Sequence, residues 1–294
     1  MIAWVPLLSI PIEWAALALL VVACVYWERA GFSGLGVEGA FASAMIGLVL
    51  GYEWTSSYPL AVLTAATAAV AFALAAGGLL RVFRTDTAIG ALALSLVPVC
   101  ALGILYRSGP QLLAETMPPG LLRGTAIDGT YAEDLALNPV LWAAPLLVLL
   151  AGWLLWHTPF GLRVRAFGEN PAWRVPASRP PLYRIAAIVL GAVWTAPAAA
   201  LLVRTHPQAP PVALGILALA CVIASRWSVL GGVLLAGGPA IARACRPYAG
   251  DRAGLAIVLE ILPYLIALSY LAFLSRRSLR LAFAPRAGTD PDLL

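Results

Sequence analysis

The sequence contains no lysine, only two histidines (His157 and His206) and four cysteines, and charged residues fill 11% of its 294 positions. Each shortage removes a class of protein. A soluble domain carries about 25% charged residues, so a chain that is 62% hydrophobic and 11% charged is not a soluble globular protein. Without lysine the chain cannot supply the residue that grips the phosphates in a Walker A loop, so any ATP that drives it must be held by another subunit. Cys24, Cys100, Cys221 and Cys245 lie in or at the ends of apolar segments and form no CxxC pair. They read as small buried hydrophobes rather than as redox or metal chemistry. With no cluster of His, Cys and carboxylates, neither a metal site nor a nucleophilic triad has material to build on. The chain is expected to be no enzyme and to bind no cofactor of its own.

What fills the sequence is apolar runs, with a mean hydropathy of +0.89. Several approach the roughly 20 residues a helix needs to cross a bilayer, and they are continuous rather than alternating, which excludes a β-barrel. The expected fold is an all-α polytopic membrane protein with about eight to ten transmembrane or partly re-entrant helices. Candidate spans fall at 12–27, 37–52, 59–80, 87–106, 139–156, 184–203, 211–225, 228–245 and 254–274. The first, within PIEWAALALLVVACVYW, follows no basic region and runs into the body of the chain, so no cleavable signal peptide is expected. One membrane domain covers 1–286 and a short tail 287–294.

Two candidates, 37–52 and 211–225, are short for a crossing and border the Gly-containing pieces RAGFSGLGVEGA and RWSVLGG. Interrupted or re-entrant helices are tolerated at membrane depth only where protein or a watery cavity covers them. Transporters place such breaks near the substrate path.

The net charge is +5, and every basic residue is arginine. The loops at 28–36, 81–86, 157–183 and 226–227 and the stretch after residue 275 together hold 12 of the 19 arginines. Cytoplasmic loops carry such an excess, so these loops and the C-terminus are expected in the cytoplasm and the N-terminus outside. Scattered between spans, the arginines make no nucleic-acid patch. The polar stretch 107–138, with Glu115, Asp128, Glu133 and Asp134, then lies outside. It is a cap over the pathway, a landing site for a binding protein, or a solvated connector. Tryptophans and tyrosines near span ends, among them Trp27, Trp54, Tyr106, Trp142, Trp153 and Trp156, are expected to form an interfacial belt.

Ionisable groups inside spans are costly and mark functional candidates. Glu38 stands between Gly36 and Gly39 in GLGVEGAF. It either faces a cavity, where it would accept hydrogen bonds from a polar solute, or caps the helix that follows. Glu260 lies deep in IVLEILPYL, beside Pro263 and Tyr264, where pairing inside the bundle accounts for it better than a pathway role does. Asp86 opens TDTAIG, and capping the next helix suffices for it. These residues are the candidates for a substrate pathway.

The motifs carry a family resemblance. ERAGFSGLGVEGAF at 28–41 resembles a signature of permease subunits of ABC importers for nucleosides and simple sugars, relatives of the ribose and branched-chain amino acid permeases. RTDTAIGALALSL at 84–96, TPFGLRVRAFGENPAW at 158–173, SRWSVLGGVLLAG at 225–237 and ILPYLIALSYLAF at 261–273 are similar to its further motifs, in the same order. The resemblance spans nearly the whole chain. It implies two permease subunits, alike or different, in a bacterial inner membrane. It implies a pair of ATP-binding subunits, which would hold the ATP and magnesium, and a binding protein or lipoprotein that delivers solute. It assigns 157–183 as the loop that couples to the ATPase, with Gly161, Arg163, Arg165, Gly168, Glu169, Asn170 and Pro171 as its core. Asn170-Pro171 reads as an N-cap followed by proline at the first helical position. Pro176, Pro180 and Pro181 would then end that coupling helix near Val175. A nucleoside or related small polar solute is the expected cargo. A simple sugar, a branched-chain amino acid or a flavin-like solute, and proton-coupled transport through Glu38 or Glu260, stand as alternatives.

Overall fold

The structure, a computed structural model of the full chain, describes residues 5–83, 85–108, 139–169, 180–205, 211–245 and 253–275. The described residues are helical, with no strand among them. In chain order the helices are α1 (Val5–Arg29), α2 (Val37–Thr55), α3 (Tyr58–Phe83), α4 (Thr87–Ser108), α5 (Pro139–His157), α6 (Pro159–Glu169), α7 (Pro180–Val193), α8 (Thr195–Thr205), α9 (Leu214–Ala224), α10 (Val229–Leu235), α11 (Gly237–Cys245) and α12 (Ala253–Ser275). A 3-10 turn, Gly34–Gly36, leads into α2.

Among the described residues, six stretches are long and apolar enough to cross a membrane: Ser9–Arg29, Gly34–Thr55, Tyr58–Phe83, Thr87–Arg107, Pro139–His157 and Leu182–Val203. The chain is a multi-pass helical membrane protein. The expected spans from 12 to 203 match these within a few residues, because uninterrupted apolar runs leave little freedom in where a helix lies. The later part is more broken. Leu214–Ala224 is a helix of 11 residues, too short to cross alone.

Prolines set two of the breaks. The ring of proline clashes with the carbonyl four residues earlier and offers no N–H to it. Pro197 therefore faces Val193, and the span divides there into α7 and α8. Pro239 faces Leu235 in the same way, and α10 ends at Leu235. The expected single helix over 228–245 is two. Pro11, Pro98 and Pro145 stay inside their helices, as membrane helices tolerate where neighbours satisfy the freed groups.

α1 is the axis of the bundle, packed on α5, α7, α8, α9, α10 and α11. Its apolar residues from Ala16 to Trp27 are almost wholly buried. The closest pairing is α2 on α3. Ala61, Ala65, Ala69, Ala73 and Ala76 form a stripe along α3 that lets the backbones approach, and the Thr64 hydroxyl donates to the Gly47 carbonyl at 2.8 Å. By contrast α3, α4 and α5 turn outward large apolar side chains such as Leu63, Ile89, Val97, Ile104, Trp142 and Leu146. These are the faces for lipid or another apolar partner.

The aromatic belt needs one correction. Trp54, Trp142 and Trp153 are exposed, but Trp27 is fully buried, with its indole N–H on the Ile188 carbonyl at 2.9 Å. Tyr106 is also buried. A position at the end of a span does not make a residue interfacial when a neighbouring helix, here α7, covers that end. The expected external stretch lies outside the described residues from 109 to 138, as does the tail after 275.

Candidate functional site

The Gly-rich motif after α1 folds back against the centre of the bundle. The Glu28 carboxylate accepts the Gly34 N–H at 2.7 Å, and Ser33 caps the 3-10 turn by accepting from the Leu35 N–H. Gly36 packs beneath the Trp27 ring, and Gly39 lies against Phe72 of α3 and Ser95 of α4. Ser95 in turn donates to the carbonyls of Ala91 and, more weakly, Leu35. The motif thus places the first turn of α2 inside the protein.

α9 begins at this turn. Its N-cap residue, Ala213, has φ +62° and no side chain able to cap, so the first N–H groups of α9 would be left unsatisfied. The Glu38 carboxylate supplies the cap from α2. One oxygen accepts the Ala213 N–H and the other the Gly215 N–H, each at 2.6 Å. A carboxylate is favoured here twice, by charge-assisted hydrogen bonds and by the positive end of the helix dipole. Gly215 is required by the approach: a Cβ there would stand 2.6 Å from the Glu38 nitrogen. The Cys24 thiol, on α1, sits between the carbonyls of Gly34 and Gly215, at 3.8 and 3.7 Å. Glu38 is 5% exposed. It does cap a helix, but the helix belongs to a segment about 175 positions away.

A second buried charge lies nearby on α1. Glu13 and Arg243 of α11 form an ion pair at 3.0 Å, with side-chain exposures of 3% and 12%. Arg243 is also near enough to act on the Glu38 carboxylate as a neighbouring positive charge. Sequence reasoning missed this pair. The signal was present, since Glu13 lies inside the first expected span, where an acid is costly.

At the Arg29 end of α1 stands a group of arginines and aromatic rings. The Arg165 guanidinium lies 4.2 Å from the centre of the Trp156 ring, and that of Arg29 lies 5.4 Å from the same ring. Arg163 lies over the Tyr183 ring and donates to its hydroxyl. Arg29 reaches the Trp227 carbonyl at 3.5 Å, and Arg184 the Ala30 carbonyl at 2.9 Å. Gly168 backs directly onto the Arg29 carbonyl, and Gly161 onto the last turn of α5.

The expected coupling core therefore divides. Gly161, Arg163, Arg165, Gly168 and Glu169 lie in a helix, α6, that begins at Pro159 behind a Thr158 cap, whose hydroxyl accepts the Gly161 N–H at 3.2 Å. The connector between the spans is helical from Pro159 to Glu169, ahead of the expected helix start, and the Thr158-Pro159 pair was the signal for it. Asn170 and Pro171, read as the start of the coupling helix, lie outside the described residues. Among the pathway candidates, Gly36, Glu38 and Gly39 come together. Asp86 is apart from them, exposed, and caps α4 through the N–H groups of Ala88 and Ile89. Glu260 lies in α12, its side chain outside the described residues.

A multi-pass helical bundle, interrupted where a buried carboxylate meets the start of a short helix, is the architecture of a solute permease. Residues 7–245 match the family described as branched-chain amino acid transport system / permease component, and the chain belongs to that family. It is 28% identical over 172 residues to the guanosine ABC transporter permease protein NupQ of Bacillus subtilis (strain 168). That alignment covers 53% of each, so the chain spans about half the length of this curated relative. No solved structure matches the chain.

Proposed function

We propose that the chain is a transmembrane permease subunit of an ATP-driven ABC importer, carrying a nucleoside or related small polar solute into the cytoplasm. The observation that carries this reading is the meeting of Gly34–Glu38 with the start of α9. Two helices begin inside an apolar bundle, and their join depends on one carboxylate and close backbone contact. Such a join satisfies the peptide groups of interrupted helices inside the membrane, the kind of break that transporters place near the substrate path. The guanosine permease relative favours a nucleoside over a sugar, a branched-chain amino acid or a flavin-like solute.

In this reading α6 is the handle. It leans on the end of α1 through Gly168 and through the ring shared by Arg165 and Arg29. The loop after Arg29 leads within a few residues to Gly34 and Glu38. A push on α6 from an ATPase subunit would thus reach the pathway through rigid, packed parts, as rigid-body switching requires. ATP and magnesium belong to that partner. A second permease subunit completes the pathway, a binding protein or lipoprotein delivers solute, and the assembly sits in a bacterial inner membrane with the C-terminus in the cytoplasm. Both Glu38 oxygens are held by backbone N–H groups, which favours a fixed structural charge over a proton carrier.

Reconstitution in liposomes with an ABC ATPase, a partner permease and a solute-binding lipoprotein from the same source tests the proposal. Labelled guanosine should enter only with ATP, and unlabelled nucleosides should compete where ribose, leucine and riboflavin do not. Uptake by this chain alone, driven by a pH gradient, would replace the reading with proton-coupled transport.

A further inference from the structure

A cavity of about 190 Å³ opens between α3 and α7, lined by Ala73, Leu74, Gly77, Gly78, Arg81, Arg184, Ile185 and Ile188. Its chemistry is graded along its length. On α3 the small and apolar residues come first and Arg81 comes last, one turn beyond Gly77. On α7, at the same end, Arg184 comes first and Ile185 and Ile188 follow. Arg81 and Arg184 therefore stand at one end of an apolar slot. Gly77 and Gly78 make the slot: a Cβ at either position would meet nothing within 4 Å.

We propose that this cavity is a binding site for one anionic phospholipid, its phosphate held by Arg81 and Arg184 and part of an acyl chain lying over Gly77, Gly78, Leu74 and Ile188. Paired cations at the edge of an apolar slot between membrane helices fit an anionic headgroup. A zwitterionic lipid brings a cation of its own toward the arginines, and a free phosphate has nothing to place in the slot. Arg184 is 9% exposed and donates to the Ala30 carbonyl, and Gly31 packs on its guanidinium. Through Arg184 the headgroup would thus be linked to the Ala30–Gly31 end of the loop that leads to Gly34 and on to α2, and an anion there would steady it. The leaflet follows from the arginine-based orientation proposed above: the charged end is the cytoplasmic one. The lipid contact itself does not depend on what is transported.

The full chain, purified in detergent and stripped of lipid, is titrated with phosphatidylglycerol, phosphatidylcholine and inorganic phosphate. Thermal unfolding and native mass spectrometry are the readouts. Phosphatidylglycerol should raise the melting temperature and remain bound, and the other two should do neither. Arg81→Gln should weaken phosphatidylglycerol binding about fivefold, the loss of one arginine's attraction. Gly77→Leu, which fills the slot, should abolish the stabilisation while the lipid-free melting temperature falls no lower. Equal stabilisation by phosphatidylcholine, the same effect from inorganic phosphate alone, or wild-type lipid binding by both variants would overturn the site. None of these outcomes bears on the transport reading, because no solute, ATP or partner enters the experiment.

Discussion

Glu38 shows how one side chain holds two distant segments in place. Glu38→Ala strands the N–H groups of Ala213 and Gly215, and unsatisfied buried donors cost about 1–3 kcal/mol each. The expected loss is about 2–6 kcal/mol, seen as a fall in detergent melting temperature, together with loss of uptake. Glu38→Gln keeps one acceptor and turns its amide hydrogens toward the second donor, so it should fall between the two. A Glu38→Ala protein with wild-type stability would refute the capping role. The Glu13–Arg243 pair makes a sharper residue-scale test. Glu13→Gln leaves Arg243 12% exposed without its counter-ion, and breaking a buried pair from one side costs about 3–5 kcal/mol. Glu13→Leu with Arg243→Met removes both charges and should recover most of that loss, a coupling that a double-mutant cycle measures directly. At this scale the sequence was informative about kinds of residue and silent about partners. An acid between glycines in LGVEG announced itself. Its acceptor role toward Ala213 and Gly215 did not, because nothing local relates α2 to the start of α9. Glu13 is equally conspicuous by the cost of an acid in a span, but nothing local relates it to Arg243, 230 positions away.

Among the elements, the long crossings were the most legible and the breaks the least. A run such as 59–80 can only be a membrane helix, whereas 184–203 and 228–245 look continuous until Pro197 and Pro239 are set against the carbonyls four residues before them. The coupling segment is legible in part. Thr158-Pro159 is a second proline-led start in the same connector and begins α6, whereas Asn170-Pro171 lies outside the described residues. The position of α6 against α1 leads to an element-scale prediction. A side chain at position 168 would run into the Arg29 carbonyl, so Gly168→Val should lift α6 off the end of α1. Trp156→Ala should loosen the same contact by removing the ring that Arg29 and Arg165 share, a loss of about 1–2 kcal/mol. Both variants should still assemble, as the helices of the bundle core are untouched, and both should transport less solute per ATP hydrolysed in proteoliposomes. Unchanged transport per ATP in Gly168→Val would remove α6 from the coupling path.

For the whole molecule, the arrangement of charge and polar turns gives the two ends of the bundle different characters. Arg29, Arg163, Arg165 and Arg184 gather with Trp156, Tyr183 and Trp227 at one end. At the other, α2 turns into α3 through Ser56 and Ser57, and the Tyr58 hydroxyl reaches the Ala200 carbonyl. Arginine excess marks the cytoplasmic side of a membrane protein, and here the fold brings loops far apart in sequence to one end, so the bias belongs to a surface and not merely to a count. The orientation is testable without knowledge of the solute. In a variant with Cys24, Cys100, Cys221 and Cys245 replaced by alanine, Ala172→Cys should react with a membrane-impermeant maleimide only in inside-out vesicles. Glu53→Cys, at an exposed position just before the α2–α3 turn, should react in intact cells. The two sites check each other, since a leaky preparation labels both from either side and an inverted protein exchanges them. Exchange would put α6 on the face away from ATP, where no ATPase subunit could push it. The arginine end would then have to be read as the landing surface for the solute-delivering protein.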